Sequence, residues 1–194
     1  MKPVTSVTGT AVPLERTNID TDQIIPSDWL KRIERTGFED GLFSEWRQDP
    51  DFVLNDSTYS EASILIAGAN FGIGSSREHA VWALQQYGFA AVIAPSFGDI
   101  FANNASKNGL VTITLEQSNC DQLVGAVKAS PQTELNIEIA NEQLSFGQGE
   151  QVLNFTLNRD VKSRLLEGLD DIAISLKDDQ KISDYEAKRQ PWLS

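Results

Sequence analysis

Apolar and polar residues alternate from Val4 to Leu14, the two-residue period of a strand. The stretch NIDTDQIIP (18–26) reads as a turn, a short apolar strand and a proline stop. From Ser27 or Asp28, a fitting N-cap, the spacing of Trp29, Leu30 and Ile33 predicts a helix that stops at Gly37. Residues 47–62, RQDPDFVLNDSTYSEA, have few periodic apolar positions and read as a surface loop.

The centre is more regular. ASILIAGA is an apolar strand, SREHAVWALQQYG a helix with Gly88 as its C-cap, and FAAVIAP a second apolar strand. SFGDIFANNASKNG holds a short helix and LVTITL a third strand. Strands that are apolar on both faces and alternate with helices predict a parallel sheet covered on both sides. Residues 118–130 predict a helix, and 134–157 a three-strand meander that turns at Asn141 and at Gly147–Gly149. A helix between Asn158 and Gly168 follows, then a last strand, DIAISL, and a terminal helix that ends before Pro191.

The chain has 194 residues, 40% of them hydrophobic, which suits one domain with a real core over 1–194. With 16 basic against 28 acidic residues the net charge is −12, which disfavours nucleic acid and anionic membrane surfaces as partners. One cysteine, Cys120, and one histidine, His79, cannot form a disulfide framework, a zinc site or an iron–sulfur site within this chain. The N-terminal stretch lacks the apolar core of a signal peptide, and the longest apolar runs are strand-length. These features predict a cytoplasmic protein.

The chemistry concentrates in NFGIGSSREHA (70–80). A glycine-rich turn between a strand and a helix aims the first helical N–H groups, and their partial positive charge, at whatever lies in front. Arg77 adds a fork suited to a carboxylate or phosphate, and Ser75 and Ser76 add hydroxyls. Two readings stand side by side. Ser75 and Glu78 are three apart and fit a capping box. The same residues, with Gly68, Gly72 and Gly74, fit an anion site. The loop matches neither the dinucleotide nor the P-loop fingerprint, so a carboxylate is the better ligand. His79 and Cys120 read as structural. The acidic pair in DTD (20–22) fits an Asx turn better than a metal site.

These residues resemble a known family. NFGIGSSREHA looks like the hallmark of the swivelling domain of the aconitase superfamily. NIDTDQIIP, RTGF and YGFAAVIAPSFGDIF resemble, in order and spacing, the small-subunit branch of bacterial 3-isopropylmalate dehydratases. The resemblance implies an α/β fold: a three-layer β/β/α swivelling domain with a partly parallel central sheet. It implies a hydro-lyase of leucine biosynthesis, active only with a large subunit that carries a [4Fe–4S] cluster, and a small dicarboxylate substrate. By motif position, Ser75 is then the catalytic base and Asp22 its orienting carboxylate. Ser76 and Arg77 hold one substrate carboxylate, and Arg35, or failing it Arg32, holds the other. No metal is bound by this chain. Ile73 stands where many relatives have cysteine, and Gln23 where aconitase itself has histidine. Other dicarboxylate hydratases (homoaconitase, citraconate or dimethylmaleate type) and a non-catalytic carboxylate-binding module are the rival readings.

Overall fold

The structure is a computed structural model that describes residues 1–31 and 36–189. Seven strands form one mixed sheet: β1 (Ser6–Leu14), β2 (Ile64–Ala67), β3 (Ala91–Ala94), β4 (Val111–Thr114), β5 (Glu134–Glu138), β6 (Gln143–Phe146) and β7 (Gln151–Asn154). Their spatial order is β4-β3-β2-β1-β5-β6-β7. β1 to β4 pair in parallel, and β5 to β7 continue from the other side of β1 as an antiparallel meander. β1 is long enough to serve both halves: its residues 6–10 pair with β5 and its residues 11–14 with β2.

β2 and β3 are buried at every position, as their uninterrupted apolar runs predict. Successive side chains enter opposite faces. Leu65, Ala67, Val92 and Ala94 join one core, against helices α2 (Glu78–Tyr87) and α3 (Asp99–Asn108). Ile64, Ile66, Ala91 and Ile93 join a second, closed by helix α4 (Gln117–Ala129), the meander and helix α5 (Arg159–Glu167). Helix α5 starts with Asn158 as N-cap and stops at left-handed Gly168, both as the sequence predicts.

Three segments differ from their sequence patterns. Residues Thr21–Ile24 form a short helix, α1, where an apolar strand was expected. The cause is local: Asp20 accepts from the Gln23 amide at 2.7 Å, and the Gln23 side chain accepts from the Asp20 amide at 2.9 Å. This reciprocal capping box nucleates a turn of helix. The segment expected as a helix from residue 27 opens as a 3-10 turn, Ser27–Lys31, and its continuation through Ile33 lies outside the described residues. DIAISL is a helix, α6 (Asp171–Leu176), not a strand. Its period-two apolar residues, Ile172, Ile174 and Leu176, stay exposed instead of adding to the sheet, and the Asp170 side chain accepts from the Ala173 amide at 2.7 Å. Helix α7 (Asp179–Ala187) follows.

Residues 47–62 run over the surface in short 3-10 turns, yet they are anchored. Phe52 is buried, Trp46 stacks on Phe43 at 5.2 Å, and the Arg16 guanidinium lies 4.2 Å over the Trp46 ring.

Because β1, β2 and β3 run parallel, the loops that leave them emerge at one edge of the sheet. They are bonded to one another. The Gly68 amide donates to the Arg16 carbonyl at 3.0 Å, and Asn18 to Ala69 at 2.8 Å. Phe71 donates to the Ser96 carbonyl at 3.0 Å, and Gly98 to Phe71 at 2.8 Å. Gly72 shows how tight this is. Its φ is +74°, and a Cβ there would lie 2.4 Å from Phe101 Cγ.

This geometry predicts that Gly72→Ala lowers the stability of the isolated chain by about 2–5 kcal/mol, combining left-handed backbone cost and overpacking. Gly125, inside α4 with no atom within 4 Å of an added Cβ, is the contrast. Gly125→Ala is expected to raise stability by about 0.5–1 kcal/mol. Urea unfolding midpoints at unchanged slope measure both.

Candidate active site

The glycine loop leaves β2 at Ala67 and enters α2 at Glu78, at the carboxyl edge of the parallel strands. Open α/β sheets commonly bind ligands at this edge. Its neighbour is the loop after β1, and residues 19–22 hold it at successive points. The Ile19 carbonyl accepts from the Gly72 amide at 2.7 Å and from the Ile73 amide at 3.2 Å. The Thr21 amide donates to the Ile73 carbonyl at 2.9 Å, and the Thr21 hydroxyl to the Ser75 carbonyl at 3.1 Å. Asp22 and Arg77 form an ion pair. A further tie is polar: the Asn70 amide donates to the Ser96 hydroxyl at 2.8 Å, and the Asn70 side chain to that of Asn18 at 2.7 Å.

Four of the residues singled out in the sequence therefore meet. Ser75 and Ser76 are exposed at the rim. The Arg77 side chain is 17% exposed and that of Asp22 55%, so the guanidinium is largely enclosed while its partner faces the opening. Asp22 engages one arm of Arg77. A guanidinium has five N–H donors in a fixed fork, so this pairing orients the group and leaves donors for a second anion. Arg35 and its runner-up Arg32 lie outside the described residues.

Two local readings change. The Ser75–Glu78 capping box does not form. Arg77 occupies the N-cap of α2 with extended backbone and no side-chain cap bond. The Glu78 carboxylate instead accepts from Asn108 at 2.8 Å. Among the described residues the Ser75 hydroxyl makes no hydrogen bond. The second change concerns the glycines. An added Cβ at Gly68 would meet the Arg16 carbonyl at 2.5 Å, and one at Gly72 would meet Phe101. Those two glycines admit neighbouring protein groups rather than a ligand.

His79 sits in the first turn of α2 with its ring 5.2 Å from Phe38 and 4.7 Å from Trp82. Burial lowers its pKa, with Glu78 opposing and Arg77 adding to the effect. The neutral ring is a packing element. Cys120 is buried in the second core, and burial pushes its thiol up to about 11. Such a thiol is a poor metal ligand. Among the described residues no three His, Cys, Asp or Glu side chains group as a metal site. Asp20 is committed to its capping box and Asp22 to Arg77. The residues of this chain do not fit an iron–sulfur cluster.

Sequence reasoning missed Thr21, Asn18, Asn70 and Ser96 as members of this edge. The left-handed backbone of Asn18 and Asn70, φ 54° and 60°, was hinted at only by residue type.

Comparison with known proteins follows the same lines. Residues 1–118 match the aconitase C-terminal domain. The chain is 54% identical over 193 residues to the 3-isopropylmalate dehydratase small subunit of Parafrankia sp. (strain EAN1pec), covering 100% of this chain and 98% of that one. It is 52% identical over 193 residues to the protein of the same name from Thermobifida fusca, with the same coverage. Among solved structures, 3-isopropylmalate dehydratase from Methanocaldococcus jannaschii superposes with a TM-score of 0.66 over 93% of this chain and 99% of that one. At 24% identity that likeness establishes the shared fold. The matches cover nearly the full length of these relatives, and the chain belongs to the family of 3-isopropylmalate dehydratase small subunits, within the aconitase C-terminal class.

Proposed function

We propose that the chain is the small subunit of a hydro-lyase that interconverts 2-isopropylmalate and 3-isopropylmalate, in leucine biosynthesis, by removing and returning water. The observation that carries this reading is the meeting of Asp22, Ser75 and Arg77 at one loop edge, in a chain whose full length matches proteins of that name. Those names favour isopropylmalate over the homoaconitase, citraconate and dimethylmaleate alternatives, and an enzyme over a binding module. The chain works in the cytoplasm as one swivelling domain over residues 1–194. Among the described residues, no helix is long and apolar enough to cross a membrane.

Each group of this chain has a task that follows from its chemistry. Dehydration requires removal of a proton from the carbon beside the departing hydroxyl. Ser75, exposed and with no hydrogen-bond partner on its hydroxyl among the described residues, is the acceptor. A serine alkoxide is costly at neutral pH and needs positive potential nearby. Arg77 and the amino end of α2 supply it. Asp22 fixes the Arg77 plane, and the remaining donors of the fork, with Ser76, grip a substrate carboxylate. Arg35 takes the second carboxylate. The hydroxyl leaves toward the other subunit, to which we assign the cluster, since this chain has no residues to hold one. The site is thus half of an active site, open toward the large subunit.

Ser75→Ala in the assembled enzyme is expected to lower kcat by about a thousandfold or more, the scale of losing a covalent or general-base group. Because Ser75 does not cap α2, stability should stay within about 0.5 kcal/mol. Steady-state kinetics with a parallel urea titration check both, and near-native turnover would remove Ser75 from the role. Arg77→Lys keeps the charge and loses the fork. The expected outcome is at least a tenfold fall in kcat/KM, of the size of one lost charge-assisted bond. Unchanged kcat/KM would mean that Arg77 does not hold the substrate.

A further inference from the structure

The loop that carries Ser75 has one conspicuous internal support. Thr21 is 2% exposed, and it and Ser106 are the buried polar residues among the described residues. A buried hydroxyl requires a partner, and Thr21 finds it in the Ser75 carbonyl at 3.1 Å. Its amide meanwhile holds the Ile73 carbonyl at 2.9 Å. The two bonds straddle Gly74, whose φ is +97°. Gly74 is the joint about which the loop could swing. Its hypothetical Cβ would lie 3.7 Å from Thr21 Oγ1, so Thr21 sits directly beneath the joint.

Holding one carbonyl has consequences beyond that atom. The peptide unit is planar, so fixing the Ser75 C=O fixes the whole plane between Ser75 and Ser76. With the Ile73 carbonyl held on the other side, the Gly74–Ser75 peptide is bracketed by two tethered planes, which narrows the directions open to the Ser75 Cα–Cβ bond. Among the described residues the Ser75 side chain makes no bond of its own that could do this. Asp22, the next residue, holds Arg77. Residues 21 and 22 therefore set the proposed proton acceptor and its cation from one rigid turn, which the Asp20–Gln23 capping box locks.

We infer that Thr21 is a positioning residue for the reaction: its hydroxyl aims Ser75 by holding the Ser75 carbonyl. This rests on the reading of Ser75 as the proton acceptor. Misplacing a reacting group by an ångström costs on the order of a hundredfold in rate.

The test is the steady-state kinetics of three variants, each assembled with the large subunit, with 3-isopropylmalate as substrate and the native assembly alongside. Thr21→Val keeps volume and branching and removes the donor. Thr21→Ala removes the donor without placing a methyl against the carbonyl. Thr21→Ser keeps the donor and removes the methyl. The inference predicts a fall in kcat of about tenfold or more for Val and Ala, with KM within about threefold, and for Ser at least half the native kcat. Packing alone predicts the opposite order, with Val best and Ser impaired. Val or Ala within twofold of native kcat, or Ser no better than Val, overturns it. Native turnover that survives Ser75→Ala overturns the underlying role of Ser75, and the Thr21 inference with it.

Discussion

The constraint on which the rest depends is the bonding of the loop after β1 to the loop after β2. Parallel strands deliver both loops to one edge, but they do not join them. The joining is done by main-chain bonds: the Gly72 and Ile73 amides donate to the Ile19 carbonyl, and the Thr21 amide donates to the Ile73 carbonyl. Backbone groups at such an edge must find partners, and here they find one another. Gly68 and Gly98 permit it, because a Cβ at either would collide with an adjoining loop, and Gly72 does so because a Cβ there would strike Phe101 of α3. Asp22 and Arg77, 55 residues apart in sequence, meet as a result.

The two cores explain why this edge is rigid. β2 and β3 send alternate side chains into each core, so neither strand can shift without disturbing both. β1 ties the parallel and antiparallel halves together through one continuous strand. The aromatic group of Phe43, Trp46 and Phe52 backs the loop after β1 through Arg16. Strength thus accumulates beneath the edge, while Ser75 and Ser76 remain exposed above it. An edge open to solvent suits half of a shared site, since excluding water is left to the partner surface.

Much of this was legible in the sequence where one force dominates. The apolar runs 64–67 and 91–94 can only be buried strands, and Asn158 with Gly168 brackets α5 by cap chemistry alone. The loop 70–77 announced a site by composition, and the motif resemblance joined Asp22 to it. Where local and tertiary forces compete, the pattern misled. Residues 171–176 alternate like a strand, but the Asp170 cap starts a helix there and leaves their apolar side chains exposed. Ser75 and Glu78 fit a capping box by spacing, yet Asn108 claims Glu78 and Thr21 claims the Ser75 carbonyl. The glycines looked designed for a ligand because a sequence does not show that Arg16 and Phe101 arrive from elsewhere. The part played by Thr21 was invisible for the same reason: it is a contact across 54 residues.

The central claim is that this edge is one half of a divided active site. The most direct measurement mixes this chain with the large subunit, in the presence of iron and sulfide and under exclusion of oxygen, and follows the ultraviolet absorbance of the unsaturated intermediate formed from 3-isopropylmalate. Turnover that requires both chains, and is absent from each alone, is the predicted result. Turnover by either chain alone, or none from the assembled pair, would contradict it.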